Sequence, residues 1–136
     1  MKSSDAEHKT ILIVDDDDLN RKLFSALLAA RGYRIVQAAD GPRAIDLAHQ
    51  EQPDLVIMDV QLPGISGIEA TQALKSDRST SAIPVIIATA FLIEEDELRA
   101  SGCDAYMTKP FASSDFMSLV ESFVGEAANP VLKAAL

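Results

Sequence analysis

Residues 11–20 read "ILIVDDDDLN": four apolar side chains run straight into four carboxylates. With Thr10 in front, the apolar part is short and rich in β-branched residues, as in a strand buried on both faces. Four like charges at the end of such a strand repel one another. The stretch is therefore either a solvated acidic loop or part of a site that holds a cation. "DLVIMD" (54–59) repeats the pattern, an apolar run closed by an acid. "IPVIIAT" (83–89) and "DAYMT" (104–108) read as two further strands, and "YRIVQAA" (33–39) as a half-buried one.

Helical spacing fills the intervals. Residues 18–31 carry Leu19, Leu23, Phe24, Leu27 and Leu28 at helical intervals, with an acidic start and Gly32 as the stop. Asp18 is expected to cap this helix. Residues 40–50 open with Asp40 and Pro42 and turn Ala44, Ile45 and Ala48 inward. Residues 66–76 form a third helix capped by Ser66 or a neighbour, and 94–100 a short, weak one. Phe116, Leu119, Val120 and Phe123 mark a strongly amphipathic last helix. Strands and helices thus alternate five times. That predicts an α/β fold with a parallel sheet covered by helices on both sides. The domain is expected over 10–125, with tails at 1–9 and 126–136.

The chain has 136 residues, a net charge of −9 and a pI near 4.5. One domain is expected from that length. So acidic a surface lacks the basic footprint of a nucleic-acid binder. Neither a transmembrane run nor a signal peptide is visible, and Cys103 is a lone cysteine. These features point to the cytoplasm and to protein partners, with no nucleic acid and no membrane.

In an open α/β sheet, ligands bind beyond the carboxyl ends of the strands. Parallel strands would bring Asp15, Asp16, Asp59, Thr89 and Lys109 to that one edge. Clustered carboxylates call for a cation, and an all-oxygen ligand set suits Mg²⁺. Three carboxylates, one Mg²⁺ and one lysine balance in charge, which leaves room for an incoming phosphoryl group.

The motifs "LIVDD", "LVIMDVQLPGISG", "ATAF" and "YMTKPF" together resemble the receiver domain of two-component response regulators, the CheY-like superfamily. The likeness runs from about residue 10 to 125. "LNRKLFSALLAARGY", "QLPGISGIEAT" and "GCDAY" look most like a single-domain, cell-cycle subgroup of that family. The resemblance implies a (βα)5 flavodoxin-like three-layer sandwich with strand order 2-1-3-4-5. Asp59 is then the phosphoacceptor. Asp16 is a direct Mg²⁺ ligand, Asp15 supports the ion through water, and the backbone carbonyl of Gln61 completes the protein ligands. Thr89 hydrogen-bonds the phosphoryl group, and Lys109 pairs with it or with Asp59. Thr89 and Tyr106 form the switch, and a cis peptide precedes Pro110. A histidine kinase or a histidine phosphotransfer protein supplies the phosphoryl group, contacting Leu19, Asn20, Lys22, Leu23 and Phe24. A downstream protein reads the result, and a monomer is expected.

Several residues keep two readings. Tyr106 is either a plain core aromatic or the mobile switch. Asp17 either lines the rim of the site or is simply solvated. Three other functions are possible in principle. A haloacid-dehalogenase-type phosphatase also uses a strand-end aspartate with Mg²⁺, but it wants a second acid where this chain has Gln61. A receiver fragment of a larger hybrid kinase, or a docking module that works without phosphate, would keep the fold. Little chain follows Lys109, so the expected output is binding and not enzyme activity. The span between Thr89 and Lys109 is also about two residues shorter than in typical receivers. Two helical residues are worth roughly 3 Å and about 200° of rotation, so a fourth helix of two turns or less, loosely docked, is expected.

Overall fold

The computed structural model describes residues 8–90 and 92–125. The expected tails at 1–9 and 126–136 therefore lie almost wholly outside the described residues. Five strands alternate with five helices: β1 (Thr10–Val14), α1 (Asp18–Ala29), β2 (Arg34–Ala38), α2 (Gly41–Glu51), β3 (Leu55–Met58), α3 (Gly67–Ser76), β4 (Val85–Thr89), α4 (Glu95–Ser101), β5 (Ala105–Thr108) and α5 (Ser113–Val124). All strand pairs are parallel and the order is β2-β1-β3-β4-β5.

The side-chain alternation of the strands splits the core in two. Leu12, Val14, Val56, Met58, Val85 and Ile87 face one side, covered by Ala44, Leu47 and Ala48 of α2, Ile68 and Leu74 of α3, and Leu98 of α4. Ile11, Ile13, Leu55, Ile57 and Ile86 face the other, covered by Leu28 of α1 and by Phe116, Met117, Val120 and Val124 of α5. Strands buried on both faces explain the unbroken apolar runs of the sequence.

Helix starts follow their caps. Asp40 accepts the Arg43 N–H at 2.8 Å, and Ser66 forms a reciprocal box with Glu69. The cap of α1 is a correction: it is Asp17, not Asp18. Asp17 is extended and its carboxylate accepts the N–H groups of Leu19 and Asn20 at 2.9 and 3.1 Å. Asp18 is already helical and pairs with Arg21 one turn on. Local dihedrals choose the cap, and two adjacent aspartates offer the same chemistry.

Helix α4 has seven residues, just under two turns. Its N-cap, Glu94, makes no side-chain hydrogen bond, and only Leu98 and Ser101 are buried. Gly102 closes it at φ 82°, the left-handed conformation that favours glycine at a helix end. By contrast α5 buries four side chains. Local opening follows buried contact, so the amides of 95–101 are expected to exchange at least about tenfold faster than those of α5, a gap of roughly 1.4 kcal/mol. Hydrogen exchange followed by mass spectrometry checks this, and equal protection would contradict it.

Candidate functional site

The strand order reverses direction between β1 and β3, and such a switch point leaves a crevice at the carboxyl ends of the strands. β1 delivers Asp15 and Asp16 there, and β3 delivers Asp59. Asp15 is buried, Asp59 half-buried and Asp16 exposed, and each can offer an oxygen so that the three lie within 4.8 Å of one another. From across the crevice, just beyond β5, Lys109 places its Nζ 3.0 Å from Asp15 Oδ2 and 3.3 Å from Asp59 Oδ2. The Lys109 N–H donates to the Thr89 carbonyl at 2.8 Å, so the end of β4 sets where the lysine begins. The ammonium also lies 5.5 Å from the centre of the Phe24 ring, a cation–π distance. The Lys109–Pro110 peptide is cis, as expected.

These groups line a cleft of about 170 Å³ with Asp17, Asn20, Gln61 and Ala90. Thr89 is buried at the end of β4. Tyr106, on β5, is 54% exposed, which removes the reading of it as a core aromatic. Asp17 does line the cleft, while its carboxylate is engaged as the α1 cap. Of the expected partner face, Leu19 and Leu23 are 65% and 60% exposed. Lys22 is exposed too, and Asn20 and Phe24 are half-buried. The helical spacing of the two leucines thus marks a surface and not the core.

The donor set fits a hard divalent cation. Both oxygens of Asp15 already receive protein donors, Asp17 N–H at 2.9 Å and Lys109, which suits a supporting role more than direct ligation. Asp16 is exposed and offers its carboxylate to the cleft. Asp59 is held above the usual carboxylate range, first by burial. Lys109 opposes the rise, the Asp15 charge adds to it, and the Gln61 N–H at 3.3 Å lowers it again. A divalent cation beside Asp59 would act in the same direction as Lys109 and favour the ionised carboxylate.

Two positioning residues escaped the reading of the sequence. Gly67 opens α3 so close to the strand-end loop that a Cβ there would lie 1.9 Å from the Asp59 carbonyl oxygen. A glycine just inside a helix start hints at such an approach, though not at its target. Arg21 donates to the Asp15 carbonyl at 2.8 Å, and no motif marks it.

The raised pKa of Asp59 has a sign that can be checked. An acid whose folded pKa is raised costs nothing below its unfolded pKa near 3.8, and it loses stability for the fold as pH rises through the folded value. Asp59→Asn keeps the shape and removes the charge. In chelator at pH 7 it is expected to melt above the unsubstituted chain, with the gap closing as pH falls towards 4. Thermal melts at both pH values measure this, and a lower melting point for Asp59→Asn at pH 7 would contradict it.

The comparisons agree with this geometry. The model of the response regulator receiver domain matches residues 11–121. The polar-differentiation response regulators DivK of Brucella ovis and Brucella melitensis are each 44% identical over 121 residues, 88% of this chain and 98% of theirs. Among solved structures, the receiver domain of the sensor histidine kinase PA1611 of Pseudomonas aeruginosa superposes with a TM-score of 0.79 at 28% identity. That match covers 88% of this chain and 99% of that one, and the PA1611 domain carries a magnesium ion in its active site cleft. The chemotaxis response regulator CheY4 of Vibrio cholerae gives 0.80 at 26% identity, over 85% of this chain and 98% of its own. With acids and lysine meeting at the switch point and this much of the chain matched, the protein belongs to the response regulator receiver domains, closely related to the single-domain DivK type.

Proposed function

We propose that the chain is a single-domain response regulator that takes a phosphoryl group on Asp59, with Mg²⁺, and thereby shifts its affinity for a downstream protein. The observation that carries this is the placing of Asp59 between the Asp15–Asp16 pair and the Lys109 ammonium, in a cleft open at the sheet edge. Receiver domains work by their own phosphorylation and dephosphorylation and are not classical enzymes. A histidine kinase or histidine phosphotransfer protein is the donor in this reading. The exposed Leu19, Lys22 and Leu23 and the neighbouring Asn20 and Phe24 are the face offered to it. A shallow groove lined by Asn20, Leu23, Phe24, Lys109, Pro110 and Phe111 supports that choice.

An oxygen of Asp59 attacks phosphorus while the phosphorus–nitrogen bond to the donor histidine breaks. The electron pair of that bond stays with the imidazole, which leaves as the neutral ring once protonated. When bound, Mg²⁺ offsets negative charge on the phosphoryl oxygens; Asp16, Asp59 and the Gln61 carbonyl would hold it, with Asp15 behind. Lys109, already 3.3 Å from Asp59, is placed to pair with the arriving group. The Thr89 hydroxyl is the group that follows the phosphoryl inward. Tyr106 pairs with Ile87, two residues before Thr89, and in this reading the tyrosine turns from its exposed position into the space that Thr89 vacates. Such a switch shifts populations and does not create affinity from nothing.

Acetyl phosphate with Mg²⁺ tests the reading directly. One hydroxylamine-labile phosphoryl group per chain is expected, and none in Asp59→Asn; normal labelling of that variant would sink the assignment. The acidic run should also divide by role. Asp16→Ala is expected to cut phosphorylation at limiting Mg²⁺ by at least about tenfold with little change in melting. Asp17→Ala is expected to cost about 1 kcal/mol of stability as a lost cap and largely spare phosphorylation. Equal losses of phosphorylation in both would mean that the ligand is misplaced.

A further inference from the structure

We infer that Arg21 is a positioning residue for the cation-holding loop, an inference that rests on the reading of Asp59 as a cation-assisted phosphoacceptor. The loop between β1 and α1 is three residues long, Asp15, Asp16 and Asp17, and all three are acids. Mutual repulsion would splay it unless it were held. Its inner side is held by Lys109 and the Asp17 N–H on the Asp15 carboxylate, and by the Asp15 N–H on the Ala38 carbonyl at 3.1 Å. Its outer side is held by Arg21, which hydrogen-bonds the Asp15 backbone carbonyl.

The guanidinium spreads its donors over three elements. Nη1 reaches the Asp15 carbonyl at 2.8 Å, Nε reaches Gln37 Oε1 on β2 at 3.1 Å, and Nη2 pairs with Asp18 in the first turn of α1. Only 15% of the Arg21 side chain is exposed. The carbonyl it holds belongs to the Asp15–Asp16 peptide. That unit is planar, so fixing its oxygen fixes the plane from which the Asp16 side chain departs. Among Asp15, Asp16 and Asp59, Asp16 is the exposed one and has the most freedom to lose on ligation. A planar fork with fixed donor directions can bind three acceptors at set angles, and a lysine ammonium on a flexible stem cannot.

A competing effect has the opposite sign. The positive charge of Arg21 sits beside the cleft and repels a cation, so on charge alone its removal would tighten binding. Arg21→Lys separates the two, because it keeps the charge and loses the fork. The probe is Mn²⁺, whose free fraction is read by electron paramagnetic resonance with no phosphoryl donor present. Both Arg21→Lys and Arg21→Met are expected to weaken Mn²⁺ binding by about tenfold, the usual scale for residues that orient a ligand. Gln37→Met, which frees one donor of the guanidinium and leaves its charge, is expected to weaken binding less but in the same direction. Phosphorylation of Arg21→Lys by acetyl phosphate should slow at low Mg²⁺ and recover at saturating Mg²⁺, a rescue that a merely unstable variant would not show. Unchanged Mn²⁺ affinity in Arg21→Lys, or tighter binding in Arg21→Met, would overturn the inference. Failure of the unsubstituted chain to accept phosphate would instead overturn the reading of Asp59, whatever the Mn²⁺ result.

Discussion

The ammonium of Lys109, set between the carboxylates of Asp15 and Asp59, is the contact on which the rest of the site depends. Two acids at the ends of neighbouring strands would otherwise face each other across a half-dry crevice, and Coulomb repulsion there is poorly screened. The lysine reaches them because β5 pairs with β4 and the next amide, its own, still bonds to the Thr89 carbonyl. Below it, the rings of Phe24, Phe111 and Phe116 cluster with centres 5.1–6.0 Å apart, tying α1 and α5 to the same corner. One ammonium, through two ion pairs, therefore ties the ends of β1 and β3 to the residue beyond β5. Three carboxylates against one ammonium still leave this cluster net negative, and burial holds the Asp59 carboxyl above its ordinary value.

The architecture was open to reading because its signals are local and periodic. Apolar runs marked the strands, 3.6-residue spacing marked the helices, and parallel pairing then forced the strand-end acids, Thr89 and Lys109 onto one edge. What stayed hidden depends on fine geometry or on reach. Asp17 and Asp18 are chemically the same, and only the extended backbone of Asp17 makes it the cap. Leu19 and Leu23 share the period of the core residues, and period alone does not say whether an apolar face meets the core or a partner. Gly67 is visible as a letter, but the carbonyl it approaches comes from another element. The span of Arg21 over the β1–α1 loop, β2 and α1 has no period at all.

The two faces of the sheet are fastened differently. On the face covered by α1 and α5, Arg31 pairs with Glu121 and the Tyr33 hydroxyl donates to the Gly125 carbonyl at 3.0 Å, joining the end of α1 to the end of α5. On the far side Lys75 acts as a staple, donating to the Ser81 and Ile83 carbonyls and pairing with Asp104 at 2.9 Å. Asp104 in turn accepts the Val85 N–H at 2.8 Å. That staple bridges α3, the start of β4 and the start of β5, and so passes round the brief α4. The sheet can keep its register there even when the helix above it opens, which confines local opening to the surface layer.

The exposed Tyr106 has an optical consequence. The chain has no tryptophan and two tyrosines. Tyr33 is 5% exposed, while Tyr106 stands open to solvent on β5. Near-ultraviolet emission of the protein is therefore the sum of a shielded phenol and an accessible one, and a collisional quencher such as iodide reaches only the second. The molecule carries its own reporter, with no label attached, at the one phenol that lies open on β5.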